Sequence, residues 1–247
     1  MCRNVRRYGD RDGDGVMTDT PAPLEQLQIQ TGITTPLKGM RRTAARRMVT
    51  AWQAPVFHLG LEVDMTEASK AKQFFANATV TDVIIAAAAT ALVAHPGLNA
   101  HVGDDEVTLF EHANIGVAVA TDKGLTVPNV YGAELLGMAQ IVDRRRDVVQ
   151  RARAGTLRMD DVTGGTFTIS NLGMMGIDRF DAILNVPQAA ILAVGSTRQR
   201  QVWRDGEAVW LPIAELTLTC DHRAVDGAAG AQFLTSLADA LMSPLAA

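Results

Sequence analysis

Only two cysteines, Cys2 and Cys220, occur among the 247 residues. They stand at opposite ends of the chain, without the neighbours that a zinc or redox motif needs, so a disulfide framework is excluded and a reducing, cytoplasmic location is expected. Long apolar runs are also missing. The longest, residues 83 to 94 (VIIAAAATALVA), falls short of the roughly 20 residues that span a bilayer and reads as a buried helix. Arg3, Arg6 and Arg7 are not followed by an apolar stretch, which argues against a secretory signal. Neither sign of charge dominates. A formal net charge of -4 creates no global field for nucleic acid or an anionic membrane, so neither is expected as a partner and any anion site must be local. The stretch GGTFTISNLGMMG lacks the G-x-G-x-x-G spacing of a dinucleotide loop. His58, His95, His101 and His112 show no metal-ligand spacing, and no metal is expected. There is no internal repeat.

What is present is apolar bulk, 47% of the residues, enough for one large core. Residues 1–35 are rich in Arg, Asp, Gly, Thr and Pro and lack a sustained period, so they read as a flexible tail or linker ahead of a core domain over residues 36–247. Within the tail, Asp10, Asp12, Asp14 and Gly15 match the first half of a calcium loop. Pro21 stands where its bidentate Glu would be, so a solvated acidic turn is expected.

Met40, Ala44, Met48 and Trp52 recur at i, i+4 spacing and predict an amphipathic helix with arginines on its other faces. Phe57, Leu59, Leu61 and Val63 alternate as a half-buried strand, and Thr66 reads as the cap of a helix to about Phe75. The Ala-rich helix follows, ended by Pro96 and Gly97. Strands are expected at VTLF, NIGVAVAT and LTVPNV, then a charged helix over 137–154, then strands at GTFTISN and AAILAVG. Asp205-Gly206 is a two-residue hairpin turn between RQVW and AVWLP. A last strand, ELTLTC, leads into DHRAVDG and a closing helix. Strands segregated from helices without regular alternation indicate an α+β fold, helices on a mixed sheet.

The chemistry concentrates where ELTLTC gives way to Asp221, His222, Arg223 and Asp226. An isolated histidine in a turn is ordinarily a hydrogen-bonded structural residue. A histidine among three charged neighbours at a strand end, before Gly227, is a candidate general base, because imidazole titrates near neutrality. A second use of the same residues is a cysteine hydrolase, since Cys220 and His222 at i, i+2 on extended chain would point the same way.

DHRAVDG resembles the His-x-x-x-Asp-Gly signature of the 2-oxoacid dehydrogenase acyltransferases. GGTFTISNLGMMGIDRFDAILNVPQAAILAVG resembles that family's second signature, PLKGMRRTAARRM its first helix and GLTVPNV its central strand, so the likeness runs over about residues 36–247. It implies a chloramphenicol-acetyltransferase-like mixed β-sheet flanked by helices, forming trimers. The implied reaction moves an acetyl or branched-chain acyl group between dihydrolipoamide and coenzyme A. By the same likeness His222 is the general base, Ser170 the hydroxyl that donates to the oxyanion, and Asp226 an acid that holds the turn through an arginine. Its partner is expected among Arg41, Arg42, Arg46 and Arg47, which are alternatively candidates for the phosphates of coenzyme A. Ser170 without the likeness is an ordinary strand-end hydroxyl.

The resemblance also implies that His222 of one subunit faces Ser170 of the next, in homotrimers that build a cubic 24-mer or dodecahedral 60-mer core. Partners are then the 2-oxoacid decarboxylase and dihydrolipoamide dehydrogenase components. The lipoyl and peripheral-subunit-binding domains of the full-length family are not found in this sequence. Lys123, in TDKG, reads as a hairpin residue and not as a lipoyl attachment site. Val56 stands where many relatives carry a histidine. A catalytically silent scaffold is the remaining alternative, against which both His222 and Ser170 argue.

Overall fold

The alternating segments pair into a seven-stranded mixed sheet in the computed structural model, which describes residues 32–245 other than Lys123. Most of the expected tail, its acidic turn and Lys123 lie outside the described residues. Leu37–Ala247 forms one compact unit. The strands are β1 (Val56–Asp64), β2 (Ala100–Val102), β3 (Val107–Leu109), β4 (Ile115–Val117), β5 (Val119–Thr121), β6 (Gly124–Thr126), β7 (Asn129–Val130), β8 (Phe167–Asn171), β9 (Ala190–Val194), β10 (Arg198–Arg204) and β11 (Glu207–Asp221). The helices are α1 (Gly39–Trp52), α2 (Ala71–Phe74), α3 (Val80–Ala94), α4 (Met138–Ala154), α5 (Met159–Val162) and α6 (Gly227–Met242).

The main sheet runs β1-β11-β9-β8-β4-β7, with β10 added to β11. β8 is parallel to both β9 and β4, and the other pairs are antiparallel. Side-chain alternation sorts the two faces. Leu216, Leu218 and Cys220 of β11, Leu192 of β9 and Phe167 and Ile169 of β8 join one core with Ile84, Ile85 and Leu92 of α3 and Phe233, Leu237 and Leu241 of α6. On the opposite face α1 reaches the sheet through Ala51, which packs with Ala182, Leu184, Ile191 and Ala193.

The helix ends follow from local chemistry. Asp82 accepts from the Thr79 backbone N–H and hydroxyl, both at 2.8 Å, which closes the start of α3. The same carboxylate is fully buried and receives the Arg145 fork at 2.9 and 2.7 Å, so the cap also ties α3 to α4. Asp205 and Gly206 take φ of 53° and 86°, the left-handed pair that the β10–β11 hairpin requires.

Several expectations are corrected. The helix expected from Thr66 to Phe75 reduces to a 3-10 turn, Ala68–Lys70, and the single turn α2. Thr66 bonds back to Asp64 Oδ1 at 3.0 and 2.5 Å instead of capping a helix. NIGVAVAT divides between β4 in the main sheet and β5 in a separate hairpin with β6. The second hairpin arm and ELTLTC are one 15-residue strand, β11. Among the described residues no helix is long and apolar enough to cross a membrane.

Candidate active site

β11 ends at Asp221, and the chain turns before α6 starts at Gly227. The turn is fixed from within. The buried Asp221 carboxylate accepts from the Arg223 backbone N–H at 3.0 Å, from Nε at 3.0 Å and from Nη2 at 2.6 Å. These bonds raise the pKa of the Arg223 guanidinium above its ordinary value. Between the paired residues, the His222 backbone N–H donates to the Pro55 carbonyl at 2.9 Å, which fastens the turn to the chain entering β1. The exposed His222 ring rests on Phe57, centroids 4.7 Å apart and planes at 53°. Among the described residues its nitrogens have no hydrogen-bond partner; the imidazoles that do are those of His58, His95, His101 and His112. A fixed backbone thus presents an unengaged imidazole, which is what a base meeting a substrate thiol requires.

Asp226 does not do what was expected of it. Its carboxylate accepts from the Ala229 N–H at 2.8 Å and caps α6. Among the described residues neither it nor Arg41, Arg42, Arg46 or Arg47 forms an ion pair; the four arginines lie exposed along α1. The physical reason is local, since the first turn of a helix offers unpaired N–H groups and an N-cap Asp satisfies one of them. The arginine that braces the turn is Arg223, and its partner is Asp221.

Ser170 sits half-buried on β8, on the sheet face opposite the main core, and among the described residues its hydroxyl is unpaired. The strand-end capping reading therefore does not describe it. The loop that follows is tight: a Cβ on Gly195 would lie 1.9 Å from the Asp178 carbonyl oxygen, so only glycine lets these backbones meet. Within one chain Ser170 and His222 stay apart. Ser170 pairs with Ala193 and Ala193 with Thr217, while His222 lies five residues beyond Thr217. Two strand spacings and five residues of strand place them roughly 19 Å apart.

Cys220 points into the main core beside α6, and burial first, then the Asp221 charge, pushes its thiol up to about 12. Almost no thiolate exists at neutral pH, so the hydrolase alternative loses its nucleophile. Cys220 and His222 do not point the same way, because the strand stops at Asp221 and the turn re-aims His222 to solvent.

A cleft of about 550 Å³ opens between α1 and the sheet, lined in part by Arg47, Met48, Asn129, Gln188 and Gly165. Of the four α1 arginines only Arg47 borders it. Asn129 and Gln188 were not singled out by their sequence context, although an amide inside the apolar runs VPNV and NVPQAA is the signal that could have marked them.

The fold class comes first. Chloramphenicol acetyltransferase aligns with a TM-score of 0.50 over 79% of this chain and 94% of that one at 14% identity, so the two share a fold. The model of the 2-oxoacid dehydrogenases acyltransferase (catalytic domain) family matches residues 30–247, and the chain belongs to that family. It is 34% identical over 219 residues to the dihydrolipoyllysine-residue acetyltransferase component of the pyruvate dehydrogenase complex of Rickettsia bellii. That alignment covers 85% of this chain and 52% of the relative; the chain spans about half the length of the curated relatives it matches. Among solved structures, dihydrolipoamide acetyltransferase of Azotobacter vinelandii aligns with a TM-score of 0.80 at 29% identity, covering 89% of this chain and 95% of that one. The cubic core of a pyruvate dehydrogenase multienzyme complex aligns equally well, with a TM-score of 0.80, 28% identity and the same coverage of 89% and 95%. In the Azotobacter enzyme a serine, a histidine and an asparagine have been investigated for their role in catalysis. The serine precedes the histidine there by 52 positions, as Ser170 precedes His222, and the asparagine follows by four, where this chain has Asp226.

Proposed function

We propose that the chain is the catalytic core of a dihydrolipoamide acyltransferase, moving an acetyl group between dihydrolipoamide and coenzyme A in a 2-oxoacid dehydrogenase complex. The observation that carries this reading is the unengaged His222 ring on a braced turn, in a chain of this family whose Ser170 keeps the Azotobacter serine-to-histidine interval. His222 takes the proton from the thiol of coenzyme A, and the thiolate attacks the thioester carbonyl of acetyl-dihydrolipoamide. The carbonyl oxygen becomes an oxyanion that accepts from the Ser170 hydroxyl. Collapse breaks the bond to the lipoyl sulfur, which takes the proton back from His222. Acetyl-coenzyme A and dihydrolipoamide leave, and the reverse direction uses the same groups.

The roughly 19 Å between Ser170 and His222 within one chain supports a site completed by a second copy. Met174 and Met175, 77% and 71% exposed on the connection leaving β8, with Ile177 and Ile183 also exposed, supply the apolar surface that such a contact covers. We therefore read the working form as a homotrimer, in a larger core of the cubic 24-subunit or dodecahedral kind, with the 2-oxoacid decarboxylase and dihydrolipoamide dehydrogenase as partners. The lipoyl group is brought to this site as substrate. A reducing compartment such as the cytoplasm accords with the buried free thiol of Cys220.

The test is acetyl transfer from acetyl-coenzyme A to free dihydrolipoamide. The native chain is expected to turn over and His222→Ala to lose about 10²- to 10⁴-fold in kcat. An assembled native chain without transfer would leave only the silent scaffold.

A further inference from the structure

Ser170 stands where β8 has already lost one of its two neighbours. The register with β4 stops at Val117 opposite Ile169, and one further backbone bond, Ala118 N–H to the Ile169 carbonyl at 3.0 Å, closes that side. Among the described residues Ser170 and Asn171 continue against β9 alone, opposite Ala193 and Val194. A strand end held along one edge frays readily, yet an oxyanion donor works only at about 3 Å from the developing charge. The free edge therefore needs another brace.

Asn171 supplies it. Side chains alternate along β8, so Asn171 lies on the core face with Phe167 and Ile169, and Ser170 lies on the other. Asn171 Nδ2 donates to the Thr81 hydroxyl at 3.2 Å, and Oδ1 accepts the Gly173 N–H at 2.8 Å. The first bond crosses to α3; the second fixes the bend by which the chain leaves β8. Thr81 is held in turn. It stands in the first turn of α3 beside Asp82, whose buried carboxylate closes that turn and takes the Arg145 fork from α4. On the far side of the bend Ser196 Oγ donates to the Gly173 carbonyl at 2.9 Å. A Cβ on Gly173 would stand 2.6 Å from the Gly195 carbonyl oxygen and 3.1 Å from Asn171 Oδ1, so glycine is what lets the bend close.

We propose that Asn171 is a positioning residue that acts through Ser170: by tying the unpaired edge of β8 to the start of α3, it holds the Ser170 hydroxyl where the oxyanion forms. The inference rests on the acyltransferase reading. Asn171 faces away from the reacting groups, so its loss leaves substrate binding alone and misplaces the donor, and a displacement of about 1 Å can cost about 10²-fold in rate.

Three variants of the assembled chain separate the contacts. Asn171→Leu keeps the volume and loses both bonds; Thr81→Val loses only the bond to α3; Asn171→Asp keeps both, since the Thr81 hydroxyl can turn to donate. Acetyl transfer is measured for each, with melts and particle size to confirm folding and assembly. Asn171→Leu is expected to lower kcat roughly 10- to 100-fold with both KM values within about twofold, Thr81→Val to lower it at least about threefold, and Asn171→Asp to stay near native. On a Ser170→Ala background, which has already lost the donor, Asn171→Leu should change the residual rate less than about twofold. A folded Asn171→Leu protein with native kcat overturns the inference, as does a loss repeated in full on the Ser170→Ala background. If Asn171→Leu does not assemble, Thr81→Val decides by the same two criteria. Crystal structures of native and Thr81→Val protein add a readout that needs no turnover: Ser170 is expected to shift by about 1 Å or to lose its single rotamer, and an unmoved Ser170 overturns the inference. Native protein without transfer would count against the acyltransferase reading alone.

Discussion

Three residues within six positions illustrate how differently one short stretch uses its polar groups. Asp221 is spent on Arg223, Asp226 on the α6 N-terminus, and His222 is left with nothing but Phe57 to lean on. Cys220 sits beside them and takes no part, because its sulfur faces the core and its thiol is held protonated, with the pKa near 12. Cys220→Ala is accordingly expected to keep kcat for acetyl transfer within about twofold, while the small cavity costs about 1 kcal/mol of stability. A loss of turnover comparable to that of His222→Ala would return the cysteine to the mechanism. The clustering of Asp221, Arg223 and Asp226 was visible in the sequence, but which acid holds which group was not. Spacing says that residues two or five apart are near one another; it does not say that the strand ends between Cys220 and His222, and that end sets all three partners.

At the scale of elements, several strands were legible: β1 lies where its apolar alternation places it, and β8 and β9 fall within GTFTISN and AAILAVG. What alternation does not carry is which sheet a strand joins. NIGVAVAT reads as one strand, yet Ala118 separates a part paired with β8 from a part paired with β6. Pro212 is the last residue of the expected arm AVWLP, yet β11 runs through it, because the Pro212 carbonyl needs only the Met65 N–H at 2.8 Å and no strand there requires an N–H in return. Trp52 continues the i, i+4 row of α1 but is 77% exposed, whereas Ala51 is 2% exposed and packs with Ala182, Leu184, Ile191 and Ala193. The junction of α4 and α5 shows chemistry with no sequence signature at all. Asp161 receives Arg151 Nη2 at 3.0 Å and the Arg158 backbone N–H at 2.7 Å, and these bonds, Arg151 first, hold its carboxyl below the usual range. A depressed folded pKa means that the unfolded chain takes up the proton first. The stabilisation is therefore complete above the ordinary carboxylate range near pH 4 and disappears as pH falls through the lower folded value. Asp161→Asn is expected to cost about 2 kcal/mol at pH 7, a fall in Tm of roughly 4–8 °C. The difference from native protein should close as melts are repeated at progressively lower pH below 4; a gap that stays constant to the acid limit would assign the loss to packing.

At the scale of the whole molecule, the sheet itself argues for more than one chain. β8 and β11 are separated by β9, and the register carries Ser170 to the level of Thr217, far from the turn at which β11 releases His222. No side-chain rotation closes a gap of roughly 19 Å, since a histidine and a serine together reach less than half of it. If each site takes its imidazole from one subunit and its hydroxyl from the next, two inactive variants should repair each other. His222→Ala chains retain Ser170, and Ser170→Ala chains retain His222. In trimers formed by co-expression of equal amounts, about a quarter of the sites combine a native histidine with a native serine under cyclic symmetry. Each variant alone is expected to lose at least about 10²-fold in kcat, and the mixture to recover about a quarter of native turnover. Trimers purified from separate expressions and then combined should stay inactive for as long as subunits do not exchange. Co-expressed chains that assemble into mixed trimers, shown by two different affinity tags, yet remain as inactive as the separate variants would place both groups in one subunit and contradict the strand register.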